Sequence, residues 1–323
     1  MLAWAIFGTM LVLLLLGFPM MIPLIAGSLI GFVGLFGGFG QLDTMVQQIL
    51  GGIRPASLIA VPMFILAADI MTRGQSANRL IDLVMAFVGH VRGGLAISTA
   101  GACTMFGAVS GSTQATVVAV GAPLRPRMLK AGYKDSFILS LIINSSDIAF
   151  LIPPSIGMII YGVVSGTSIS ELFIAGIGPG MLILLMFSIY SYFYALRHNV
   201  PTLPKASWAE RGQALVRALW PLGFPAIIIG GIYGGIFSPT EAAAACVLYA
   251  IFLEAVIYRE MGLRELYATA KSTGLITAVV FILVGAGAAF SYVISFAQIP
   301  QQEQASIGLD QMGQYGVLFT ISI

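Results

Sequence analysis

Two short stretches of this chain combine small hydroxyl side chains with residues that interrupt a helix, and both lie within long apolar runs. The first is Ser110-Gly111-Ser112-Thr113. Glycine permits a reversal of the chain, and the hydroxyls offer small oxygen ligands. A helix starting at Ser112 would aim free N–H groups and the positive end of its dipole at the turn, which suits an anionic group. The second is Asn144-Ser145-Ser146-Asp147, followed by Pro153-Pro154-Ser155. Proline lacks an N–H and crowds the carbonyl four residues back. Pro153 and Pro154 therefore leave the carbonyls of Ala149 and Phe150 without helical partners. Unpaired carbonyls are costly in hydrocarbon and are tolerated where they line a cavity, and there they can coordinate Na⁺. Each motif alone has a plainer reading, since Gly/Ser clusters also mark tight helix packing and proline pairs also mark kinks. Their occurrence on neighbouring apolar segments argues for a site.

Other candidate groups divide into functional and structural. Asp147 is a carboxylate at membrane depth, which costs roughly 2.5–3.5 kcal/mol on insertion scales. It could ligate a cation, relay a proton, or be held by Ser145 and Asn144. Asp69 has Arg73 four residues on, which predicts a local ion pair. Ser238-Pro239-Thr240-Glu241 reads as a capping box with proline at the first helical position. No Lys or Arg lies within a span, so an anionic substrate would be held by helix ends, hydroxyls and co-bound cations. Cys103 and Cys246 sit in apolar stretches without a CxxC and read as packing residues. His90 and His198 adjoin Arg92 and Arg197 at segment ends. Ser110 and Ser112 thus have no base at their depth, which argues against an intramembrane serine protease.

Across the whole chain, hydrophobic residues make up 58% of the 323 and charged residues 9%. An ordinary soluble domain is nearer 25% charged, so the solvent here is mostly lipid. The net charge of +2 gives no basis for nucleic-acid binding. No GxxxxGK[ST] phosphate loop occurs, so uphill transport would draw on an ion gradient or a separate ATPase. Nothing implies an organic cofactor.

Apolar runs long enough to consider as spans are Leu2–Leu16, Met20–Phe36, Leu58–Met71, Phe137–Val164, Leu172–Leu196, Leu219–Phe237, Ala242–Tyr258 and Thr273–Phe296. The first two are short; they are two crossings, or one crossing and an interfacial piece. The stretch 93–123 has two legs of about 14 residues, too short to span at 1.5 Å per residue, and reads as a re-entrant hairpin. With that layout Arg54 alone falls on one face and the other 14 of the 15 basic residues on the opposite face, which assigns the larger set to the cytoplasm. Ser76–His90 and Arg259–Lys271 read as amphipathic interfacial stretches, and Ala206–Arg217 as a cytoplasmic linker with Trp208 and Trp220 nearby.

The order of segments before the linker begins again after it with opposite orientation. The expected architecture is an all-α polytopic membrane protein with an inverted repeat. The first repeat is 1–200, with the hairpin at about 93–123 and a broken helix at about 136–164. The linker and connecting helix are 201–237, and 238–323 is an incomplete second repeat. The run from Gly313 to Ile323 matches the start of a second hairpin, so the sequence reads as truncated at its C-terminal end.

Three motifs in order resemble the large membrane subunit of tripartite ATP-independent periplasmic (TRAP) transporters. They are Ser110-Gly-Ser…Gly121-Ala-Pro…Lys130-Ala-Gly-Tyr133, Leu151-Ile-Pro-Pro-Ser-Ile-Gly-Met-Ile-Ile-Tyr-Gly162, and Gly235-Ile-Phe-Ser-Pro-Thr-Glu-Ala-Ala-Ala244. The resemblance covers essentially the whole chain and is nearest to the sialic-acid type. It implies a Na⁺-driven symporter of the bacterial inner membrane that imports an organic acid, with sialic acid as the expected substrate. It implies two partners, a small membrane subunit and a periplasmic binding protein, and an elevator mechanism. Carried over by motif, substrate contacts fall at Ser110, Gly111, Ser112, Thr113, Ser145 and Ser155. Na⁺ contacts fall at Ser110, Ser112, Asn144, Ser146, Asp147, Ala149, Phe150 and Pro153, although the motif itself does not call for an aspartate at 147. Without the second hairpin the chain would hold half a site and would not transport. Alternatives within reach of the same residues are a C4-dicarboxylate or other organic-acid symporter of the same family, a hairpin-type anion/Na⁺ symporter working without a binding protein, and a channel or ATP-driven permease. None of these readings makes the chain an enzyme.

Overall fold

A computed structural model describes residues 2–301 and residue 316. Every regular element among them is helical. The expectation of a second hairpin starting near Gly313 lies outside the described residues apart from Gly316. Contacts partition the chain into two units: one comprises the chain up to Pro55 together with the segment from Ala278 onward, and the other is Ala56–Thr277.

In the first unit, α1 (Leu2–Leu15) packs on α2 (Met21–Phe36), and α2 turns through 114° into a 3₁₀ turn and α3 (Leu42–Gly52). The bend falls at Gly37 and Gly38, both at positive φ, a conformation glycine adopts without steric cost. The two short apolar runs therefore resolve into one short helix and one bent pair. The last part of α13 (Leu263–Phe296) closes this unit. Its Ala289 and Val293 form a buried cluster with Ile6, Phe32 and Met45, and Tyr292 stacks on Phe32 at 5.7 Å. Small residues make that approach possible: a Cβ on Gly285 would sit 3.0 Å from the carbonyl oxygen of Ile49.

The second unit begins with a 3₁₀ turn (Ala56–Ile59) leading into α4 (Ala60–Arg73), and then α5 (Ser76–Val88). The hairpin is α6 (Gly94–Ser110) and α7 (Thr113–Lys130). Its legs have 17 and 18 residues, longer than expected, the second because α7 continues through Pro123 and Pro126. Seventeen residues at 1.5 Å give about 26 Å, still short of a full hydrocarbon core of about 30 Å. The broken helix comes next as α8 (Asp135–Ser146), a 3₁₀ turn (Asp147–Phe150), a loop containing a cis Pro153–Pro154 bond, and α9 (Ile156–Ser165). Then come α10 (Ile169–Arg197), α11 (Trp208–Tyr233) and α12 (Pro239–Ile251), the last running into a π-helical turn (Phe252–Ile257).

Among the described residues five helices are long and apolar enough to cross a membrane, or up to six if the bent pair α2–α3 counts as one span. They are Ala56–Arg73, α10, α11, Pro239–Ile257 and α13. Two polar stretches belong to longer helices than the sequence suggested. In Ala206–Arg217 a capping box formed by Ser207 and Glu210 starts α11 at Trp208, and the helix runs on into the apolar segment. Likewise the later part of Arg259–Lys271 is the first turns of α13, which is continuous from Leu263. Ser76–Val88 does stand as its own amphipathic helix, and the capping box at Ser238 and Glu241 is present with both reciprocal hydrogen bonds.

Candidate functional site

The hairpin turn is built by Ser110, Gly111 and Ser112. Gly111 adopts φ +59 and its N–H closes α6 on the carbonyl of Gly107. Ser112 is extended and its hydroxyl accepts from the N–H of Ala115 at 3.4 Å, so it is the N-cap of α7. The buried hydroxyl of Ser110 lies 2.9 Å from that of Thr116, which donates to the carbonyl of Ser112 at 2.9 Å. Thr116, one turn into α7, escaped the sequence reading; its position four residues after the cap was the available signal.

This turn docks on the Pro-Pro loop of the broken helix. The N–H of Ile156 donates to the carbonyl of Gly111 at 3.3 Å. A Cβ on Gly111 would land on the carbonyl oxygen of Pro154, so both the backbone conformation and the contact require glycine. Ser155, fully buried, caps α9 by accepting from the N–H of Met158 at 3.2 Å. Two helix N-termini, each capped by a serine, therefore begin at one junction. Both present the positive ends of their dipoles there. Below it, a Cβ on Gly107 would sit 2.8 Å from Cα of Ala149, so the first leg of the hairpin lies directly against the 3₁₀ turn.

The structure thus brings Ser110, Gly111, Ser112 and Thr113 together with Pro154, Ser155 and Ile156, and sets Ala149 one turn away. Pro153 is buried beside them in the loop. No backbone N–H among the described residues reaches the carbonyl oxygens of Ala149 or Phe150, whereas the carbonyl of Ile148 accepts from both Leu151 and Ile152. Two buried hydroxyls, on Ser145 and Thr113, have no hydrogen-bond partner among the described residues. Ser146 is different: its hydroxyl is committed to the carbonyl of Ile142 at 2.7 Å and lies 3.5 Å from Sγ of Cys103. Asn144 and Asp147 are exposed. Asn144 donates to the carbonyl of Ser140 and faces a groove of about 360 Å³ walled by Phe137, Tyr190 and Tyr194 rather than the hairpin turn. Among the described residues, no cluster of His, Cys, Asp or Glu is arranged to hold a metal ion. A cation at this junction would rest on carbonyl and hydroxyl oxygens.

Asp69 does not form the expected ion pair with Arg73. It accepts instead from the hydroxyl of Thr273 at 2.9 Å, tying α4 to the start of α13. Two charged pairs form among the described residues: Arg125 with Asp135, at 2.9 Å through both oxygens, joining the end of α7 to the start of α8, and the longer Arg127–Asp82 at 3.9 Å, joining α7 to α5.

Known proteins share this chain's sequence almost end to end. The family model for the tripartite ATP-independent periplasmic transporter, DctM component, matches residues 7–321. The ectoine/5-hydroxyectoine TRAP transporter large permease UehC of Ruegeria pomeroyi is 76% identical over 321 residues, covering 99% of this chain and 75% of that protein. The ectoine TRAP transporter large permease TeaC of Halomonas elongata is 72% identical over 316 residues, covering 98% and 74%. The sialic acid TRAP transporter large permease SiaM of Vibrio cholerae is 39% identical over 297 residues, covering 92% and 69%. A helical hairpin docked on a proline-broken helix, in a chain matched over nearly its whole length, leaves one conclusion: this chain belongs to the DctM-component family, the large permeases of TRAP transporters.

Proposed function

We propose that this chain serves, within a large permease, to carry ectoine or 5-hydroxyectoine across the inner membrane in symport with Na⁺, by an elevator movement that includes the hairpin and broken helix. Large permeases of this family are multi-pass inner-membrane proteins that work with a small membrane subunit and a periplasmic binding protein. The substrate reading replaces the sequence-based choice of sialic acid, because the permeases named for ectoine are 76% and 72% identical to this chain and the one named for sialic acid only 39%.

The observation that carries the site is the docking of Gly111 on Pro154. It supports a pocket where two serine-capped helix ends, at Ser112 and Ser155, receive the carboxylate of a small zwitterion. Ser110, Gly111, Thr113 and Ser145 complete the proposed substrate wall. For Na⁺, the partnerless carbonyls of Ala149 and Phe150 are the best suited oxygens, with Ser110, Ser112 and Pro153 beside them. Ser146, Asn144 and Asp147 enter only if the junction rearranges, since the Ser146 hydroxyl and the Asn144 amide are already committed elsewhere and Asp147 is exposed.

The test is uptake of labelled ectoine into proteoliposomes holding the large and small subunits, with binding protein outside. Uptake is expected to require both the binding protein and an inward Na⁺ gradient, and excess sialic acid should not compete. Uptake that continues when K⁺ replaces Na⁺ would overturn the coupling, and preferential uptake of sialic acid or a C4-dicarboxylate would overturn the substrate.

A further inference from the structure

A buried carboxylate far along the sequence from the hairpin is placed to control it. Glu254 is fully buried at the end of α12, inside the π-helical turn Phe252–Ile257. A π-turn inserts an extra residue and redirects the side chains around it, and such turns often mark functional positions. Here it points Glu254 at the start of α5. Its carboxylate accepts from the hydroxyl of Ser76 at 2.5 Å and from the N–H of Gln75 at 3.3 Å. Gln75, the N-cap of α5, makes no side-chain cap of its own. Glu254 therefore satisfies from another helix the free N–H of the N-cap residue, a role that the N3 carboxylate of a capping box would normally fill locally. Gly74 makes room for this: any side chain there would land inside the carboxylate.

Arg79 reinforces the joint one turn later. Its guanidinium lies 3.9 Å over the ring of Tyr258 and donates to the side chain of Gln75 at 3.2 Å. It also donates at 3.4 Å to the carbonyl of Arg217. Pro221, four residues on in α11, has no N–H to offer that carbonyl. Gln75 in turn donates to Glu260. The start of α5 is thus fastened to α12 and α11 together.

Farther along α5, Val84 seats in a notch on the hairpin: a Cβ on Gly101 of α6 would sit 2.9 Å from it. Gly101 lies nine residues before Ser110, or about 14 Å along the helix. We infer that Glu254 is a positioning residue: by tying the start of α5 to α12 it fixes the seat on which the hairpin leg α6 rests, and so the placement of the Ser110–Thr113 turn. This rests on the transport reading above and touches neither substrate nor Na⁺.

The experiment uses the complete transporter in proteoliposomes. In Glu254→Ala the maximal uptake rate is expected to fall roughly tenfold, within the range of such couplings, with the half-saturating substrate concentration unchanged. Glu254→Gln keeps an acceptor oxygen and the volume, and should retain most of the rate. A second change, Gln75→Asp in the Glu254→Ala background, restores a local cap without the tie. It should recover thermal stability but not rate. If that double variant also regains the rate, Glu254 is only a cap and the inference is wrong; so too if Glu254→Ala transports normally. If Glu254→Ala cannot be recovered from membranes, Ser76→Ala, which removes the 2.5 Å bond alone, must lower the rate at unchanged half-saturation, and a normal rate there overturns the inference. Absence of ectoine uptake in the unmodified transporter would instead sink the substrate reading, leaving this one to be measured with the solute that is carried.

Discussion

At the residue scale, the strongest single dependence is on Gly111. It is held at φ +59 and abuts the carbonyl of Pro154. Gly111→Ala must accept a left-handed backbone with a Cβ and also push the hairpin off the loop, at a cost of about 1–3 kcal/mol. Uptake should fall at least tenfold. Gly132 offers the control, since it has φ +89 but open space around it. Gly132→Ala pays the backbone strain alone, about 1 kcal/mol, and should transport nearly normally. If the two variants behave alike, contact between the turn and the loop does not govern the site. The sequence announced this glycine through its hydroxyl neighbours and the turn they require. It did not announce Asp69 correctly, because a carboxylate four residues before an arginine looks the same whether it pairs locally or reaches Thr273, which lies 204 positions away. Nor could it find Glu254, whose partners at Gln75 and Ser76 are 179 and 178 positions distant.

At the element scale, the features legible in the sequence are those set by a local rule. The helical hairpin turned at Gly111, the helix broken at Pro153-Pro154 and the capping box at Ser238 each depend on residues a few positions apart. The misreadings arose where charge suggested an interface but nothing stopped a helix. Once Ser207 and Glu210 nucleate α11, each added residue gains a hydrogen bond, and Gly212, which costs about 1 kcal/mol, is the only weak helix former before Pro221 and does not stop it. The same holds for α13 after Leu263. One tie between elements can be tested by pH. Asp135 at the start of α8 bonds Arg125 near the end of α7, and the guanidinium holds the carboxyl below its ordinary range while the arginine is pushed up. A carboxyl with a lowered folded value contributes stability above its ordinary pKa of about 4, and loses it as pH falls through the lower folded value. The difference in melting temperature between the unmodified chain and Asp135→Asn should therefore be constant near neutrality and shrink below about pH 4. The pair is solvent-exposed, so the difference should be small and reduced by salt. A gap that widens on acidification would show that the pair is not what links the hairpin to the broken helix.

At the scale of the molecule, the sequence assigns an inverted repeat and a basic cytoplasmic face. Orientation can be measured directly. Cys103 and Cys246 are fully buried, so the unmodified chain should be nearly silent to a membrane-impermeant thiol reagent, and added cysteines report cleanly. Arg54, Lys205 and Lys271 are all exposed. If the excess of Lys and Arg marks the cytoplasmic side, Lys205→Cys and Lys271→Cys should label only in inside-out vesicles, and Arg54→Cys only in right-side-out ones. Labelling of all three from one side would contradict the layout, because an odd number of crossings must separate residue 54 from residue 205. The hairpin adds no crossing, and two full crossings there would leave the same parity, so this labelling pattern bears on the spans alone. The hairpin itself is argued by the length of α6, by the two-residue turn at Gly111 and Ser112, and by the docking of that turn on the Pro153–Pro154 loop.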